Sequence, residues 1–96
     1  MDVDAIMDHI EEHIYRKFGK IAIRDLYRGR NGQSILFYNH DNQEGYNIFV
    51  GYDGTLDVIK NVSYMYIKKF NNENDMYDAI DYLFAYLIGP PDIAYF

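Results

Sequence analysis

The chain has 96 residues, 49% of them hydrophobic, no cysteine, and fifteen carboxylates against nine lysines and arginines, a net charge of -6. This length makes one domain, residues 1–96, with one modest core. The missing cysteines exclude disulfides, thiolate metal sites and thiol nucleophiles, and the acidic balance works against adsorption to anionic membranes or phosphate backbones.

Val3, Ile6, Met7, Ile10, Ile14 and Phe18 recur at intervals of three and four, the spacing of one helix face. Asp2 or Asp4 can cap the start, Arg16 and Lys17 suit the negative end of the helix dipole, and Gly19 is a natural stop. The spacing predicts a helix over Val3 to Phe18, with Asp4, Asp8, Glu11 and Tyr15 opposite the apolar stripe. Ile21 to Arg28 is strand-like, but its alternation slips near Asp25 and Leu26, which predicts a bulge. Gly29-Arg30-Asn31-Gly32 reads as a turn, Ser34 to Asn39 as a second strand and His40 to Gly45 as a polar loop. In the next strand Tyr46, Ile48, Val50 and Tyr52 alternate onto one side, and Asp53-Gly54 is hairpin chemistry. Thr55 to Lys60 and Val62 to Lys69 continue as strands, with a break at Asn61. Asn71-Asn72 then offers a cap to a second helix with a buried stripe of Met76, Ile80, Leu83, Phe84 and Leu87, ended by Gly89-Pro90-Pro91.

Successive strands joined by short turns favour a meander. The expected fold is therefore α+β: an N-terminal helix, an antiparallel sheet of three to five strands and a C-terminal helix, both helices packed on one sheet face. Residues 92–96 form a short tail whose Ile93, Tyr95 and Phe96 need a surface to pack on. The longest apolar run, Leu83 to Gly89, falls far short of a membrane span. The acidic start Met1-Asp2-Val3-Asp4 lacks the basic region of a secretory signal, so a cytoplasmic protein is expected.

His9-Ile10-Glu11-Glu12-His13 matches the string H-x-x-E-H, in which two histidines one helical turn apart share a metal and Glu12 serves as base. The string is short and lacks a third ligand, and histidines flanking an apolar stripe are usually structural. No cofactor is expected, and a metal at His9 and His13 is the weaker reading. Arg16, Lys17, Lys20, Arg24, Arg28 and Arg30 make a basic patch with Tyr27 inside it, of a kind that can touch phosphate and stack a base. Acidic residues of the preceding helix can neutralise it, so direct nucleic-acid binding is not expected. A small nuclease using Arg24 to Arg30, with His9, His13 or His40 as proton carrier, is a further alternative.

The first thirty residues balance six acidic against six basic groups, so the whole net charge lies in residues 31 to 96. Asp75, Asp78 and Asp81 recur every third residue on the second helix beside Tyr82 and Tyr86, while Asp53 and Asp57 lie at the hairpin. Like charges this close destabilise a helix slightly, which invites a functional reading: a carboxylate row that imitates phosphates and enters a basic groove. Eleven tyrosines add contact area at low entropic cost. Ser34 and Ser63, the only serines, sit in no nucleophile elbow or phosphate loop, so no enzyme is expected.

Size, element order, these carboxylates and the absence of a catalytic set give a profile that resembles the small acidic inhibitors of phages and archaeal viruses, anti-CRISPR proteins among them. The resemblance implies a non-catalytic protein that occupies the nucleic-acid groove or a subunit interface of a basic, nucleic-acid-handling host defence protein. Asp75, Asp78, Asp81, Tyr82 and Tyr86 would make the contacts, with Asp53 and Asp57 second. A homodimer or other homo-oligomer sealed by the last helix and the tail is the alternative.

Overall fold

The computed structural model describes residues 1–89, so the tail with Ile93, Tyr95 and Phe96 lies outside the described residues. The predicted order of elements is observed. Helix α1 (Val3–Phe18) begins where the Asp2 carboxylate accepts the Ala5 N–H at 3.1 Å, and ends at Gly19, whose φ of 87° no side chain adopts easily. A single 3-10 turn (Lys20–Ala22) takes up the first residues of the predicted strand, and β1 (Ile23–Arg28) starts two residues later than its sequence suggests.

Four further strands follow: β2 (Gly32–Asn39), β3 (Glu44–Gly51), β4 (Thr55–Lys60) and β5 (Ser63–Lys69). They form one antiparallel sheet in the order β1-β2-β3-β4-β5. The slip read at Asp25 is a bulge between Ile23 and Asp25, and a second one lies between Val58 and Ile59. Tyr52 does not extend the Tyr46-Ile48-Val50 stripe. The strand ends at Gly51, and Tyr52 enters the hairpin turn and is exposed.

Helix α2 (Glu73–Tyr82) is capped by Asn72, whose side chain accepts the Asp75 N–H at 2.9 Å. It then widens into a π-turn over Leu83–Leu87, closed by the Ile88 N–H donating to the Leu83 carbonyl at 2.7 Å. The extra residue per turn shifts the phase of the stripe. Leu87, expected inside, is 40% exposed, and Ile88 is buried in its place.

Both helices cover the same sheet face. Its cross-strand rows are Phe37–Tyr46, Ile35–Ile48–Val58 and Gln33–Val50–Leu56. The apolar members pack with Ile6, Ile10, Ile14, Met76, Ile80 and Phe84 into one core. An odd number of antiparallel strands lies between the helices, and α2 runs beside α1 in the same direction. The Asp2 N–H reaches the Glu73 carboxylate near their starts, and Lys17 reaches the Phe84 carbonyl near their ends. At the end of α2 the Gly89 N–H donates to the Tyr46 hydroxyl at 3.1 Å, and that hydroxyl donates to Glu44 at 2.6 Å. Burial and the Glu44 bond push the Tyr46 phenol up to about 12, while the Tyr46 and Lys60 bonds hold Glu44 below the usual carboxylate range. Among the described residues no helix is long and apolar enough to cross a membrane.

Candidate functional site

The parallel helices bring together residues far apart in sequence. His9 and His13 stand one turn apart on α1, and both Nε2 atoms lie 2.7 Å from one oxygen, Oδ1 of Asp81 on α2. Aromatic packing fixes the rings. His13 stacks on Phe84 with centroids 4.8 Å apart and planes 5° from parallel. His9 meets the Tyr77 ring edge-on at 4.8 Å, and the two imidazoles meet each other edge-on at 4.9 Å. Burial pushes the Asp81 carboxyl up, but the bonds from His13 and His9, with their charges, outweigh it and hold Asp81 below the usual range. An ionised carboxylate only accepts, so each of these bonds forms with the tautomer or charge state that puts a proton on Nε2. The side chains are 32% (His9), 23% (His13) and 53% (Asp81) exposed, so the cluster is open to solutes on one side. The group that joins the two histidines of the H-x-x-E-H string is thus Asp81, while Glu12 pairs with Arg16 at 3.0 Å along the helix.

The carboxylates of α2 do not form one row. Asp81 faces α1. Asp75 accepts the Asn72 side-chain N–H at 2.9 Å as part of the helix cap. Asp75 and Asp78 line an open groove of about 540 Å³ against Lys68, Lys69 and Phe70 at the β5 edge. Tyr82 and Tyr86 are exposed and tilted against each other at 5.2 Å. At the hairpin, Asp53 accepts from the Thr55 N–H and hydroxyl at 3.0 and 2.7 Å, bonds that hold its carboxyl below the usual range.

Asp57 belongs to the other side of the sheet, which no helix among the described residues covers. Two cross-strand rows run across that face: Tyr27–Ser34–Phe49–Asp57–Ile67 and Asp25–Leu36–Asn47–Ile59–Tyr64. Leu36 is 42% exposed between the buried Ile35 and Phe37, and on the two edge strands Tyr27 and Ile67 are 61% and Tyr64 64% exposed. Asp57 stands between Phe49 and Ile67 in its row, and its Oδ1 is buried without a hydrogen-bond partner. Burial, then the nearby Asp53 charge, pushes its carboxyl above the usual range.

The basic run is split. Arg28 lies 3.5 Å from Asp4, Arg24 bonds His40 at 3.1 Å and covers the Tyr38 ring, and Arg16 pairs with Glu12. His40 therefore stands on the far side of the sheet from His9 and His13. Sequence reasoning missed the bare face as a surface. Its signal was present in the second phase of the strand alternation, where Leu36, Phe49, Ile59 and Ile67 stand at positions a one-sided sheet would fill with polar residues. No family model, curated protein or solved structure matches the chain.

Proposed function

We propose that the protein is a non-catalytic, cytoplasmic protein-binding module that inhibits a basic, nucleic-acid-handling protein by covering part of its surface. The observation that carries this reading is the sheet face that the described residues leave uncovered. Tyr27, Leu36, Tyr64 and Ile67 remain in water there, around a carboxylate with a buried, unpartnered oxygen. Exposed apolar and aromatic groups grouped on one flat face favour a partner. A lysine or arginine from that partner would satisfy Asp57, and the net charge of -6 would speed its approach. The α2 face with Asp78, Tyr82 and Tyr86 is the second surface, weaker because Asp75 and Asp81 each already have one oxygen bonded inside the chain.

The test is affinity capture from host lysate at low and high salt with three baits: the wild type, the sheet-face pair Leu36→Lys/Ile67→Lys, and the helix-face pair Asp78→Lys/Tyr82→Ala. Specific loss of one basic protein with the sheet-face bait, at a melting temperature within about 3 °C of wild type, supports the proposal. Loss with the helix-face bait alone moves the contact to α2. Retention by all three rejects both surfaces. If the wild type instead has twice its chain mass in solution and the sheet-face pair is monomeric, the bare face is a self-association seam.

A further inference from the structure

We infer that His9, His13 and Asp81 form a zinc(II) site that fastens α1 to α2. The ligand atoms, His9 Nε2, His13 Nε2 and Asp81 Oδ1, all lie within 4.8 Å of one another. A tetrahedral zinc with bonds of about 2.0–2.2 Å needs its donors roughly 3.3–3.5 Å apart. The two N···O separations of 2.7 Å would open by less than an ångström, for which the solvent-exposed Asp81 side chain has room, and the two histidine nitrogens, up to 4.8 Å apart, would close by about one. Histidines at i and i+4 present their Nε2 atoms to one point, and here both already aim at one oxygen.

The donor chemistry selects the metal. Two neutral imidazoles and one carboxylate suit zinc and its transition-metal neighbours, whereas magnesium and calcium want oxygen ligands throughout. Three protein ligands leave a fourth position, which opens to solvent and takes water. On binding, each imidazole gives up its Nε2 proton, a neutral ring by shifting it to Nδ1 and a charged ring by releasing it to solvent, and the metal replaces both N–H···O bonds. Phe84 and Tyr77 already turn the two rings toward Asp81, and small rotations of the rings bring their nitrogens together. The ligands come from the two ends of the chain, so the metal closes the whole β-meander between residues 13 and 81. This site is separate from the sheet face and does not depend on the partner proposal.

The experiment is a titration of the chelator-stripped full chain with zinc chloride, by calorimetry and by melting temperature. The visible spectrum with cobalt(II) is recorded in parallel. The expected result is one zinc per chain at micromolar affinity or tighter, a melting temperature raised by about 5 °C or more at saturation, and intense four-coordinate cobalt bands. His9→Gln, His13→Gln and Asp81→Asn should each weaken binding at least about tenfold, with folding checked by circular dichroism without metal. If His13→Gln disturbs the packing on Phe84, Asp81→Asn alone decides. No binding at about 100 μM zinc, or affinity unchanged in Asp81→Asn, overturns the assignment, the latter outcome meaning only an adventitious histidine pair.

Discussion

The two sides of one sheet use the same strands to opposite ends. Phe37 and Leu36 are neighbours in β2, yet Phe37 is fully buried under both helices and Leu36 remains 42% exposed on the bare side. The aspartates divide in the same way. Asp81, in the helix layer, receives two imidazole N–H groups and is held below the usual carboxylate range. Asp57, on the bare side, keeps an unpartnered oxygen and is pushed above it. The helix side keeps one unpartnered polar atom of its own, Asn39 Nδ2, but its sheet core is covered, whereas Leu36, Tyr27, Tyr64 and Ile67 on the bare side stay exposed. A domain of this size cannot cover both faces of a five-stranded sheet with two helices, and in such folds one face ordinarily turns polar. Here it did not.

The comparison is broken or sharpened first by truncation. Phe37→Ala should cost about 3–5 kcal/mol in chemical denaturation, whereas Leu36→Ala should stay within about 0.5–1 kcal/mol. Equal losses would mean that the bare face is packed after all. Gly54→Ala should cost about 1–3 kcal/mol, because φ there is 92° and a Cβ would run into the Phe70 carbonyl oxygen, breaking the hairpin that serves both faces.

The aspartates give smaller effects of opposite sign. Asp81→Asn should destabilise by roughly 0.5–1 kcal/mol at pH 7, a modest figure because the pair is half exposed and water screens it. The folded pKa of Asp81 lies below its ordinary 3.8, so its contribution is full above that pH and fades as the pH falls through the folded value. The gap between wild type and Asp81→Asn should therefore narrow in melts taken below pH 3.8. Asp57 is the reverse case. Its folded pKa is raised, so the ionised form destabilises and acid relieves the cost. Asp57→Asn should stabilise by less than about 1 kcal/mol at pH 7, and the gain should vanish as the pH falls below 3.8.

Local signals carried most of the fold. The apolar spacing of Val3 to Phe18, the cap at Asn72, the hairpin residues Asp53 and Gly54, and the slipped alternation at Asp25 each depend on neighbours within a few residues. Each was readable for that reason. The π-turn was not readable. Whether Leu87 or Ile88 points inward depends on one extra residue in a turn, which only packing against the sheet selects.

The sites divide along the same line. The sequence by itself determined that His9 and His13 share a side of one helix and that the chain is acidic beyond residue 30. It grouped Asp81 with Asp75 and Asp78, because spacing along a helix says nothing about what lies across from it. Only the tertiary structure decided that Asp81 meets both histidines and that Asp57 stands on the side the described helices leave uncovered. The physical reason is sequence separation. Asp81 lies 72 and 68 residues from the two histidines, and their contact exists only once five strands have turned α2 to run beside α1.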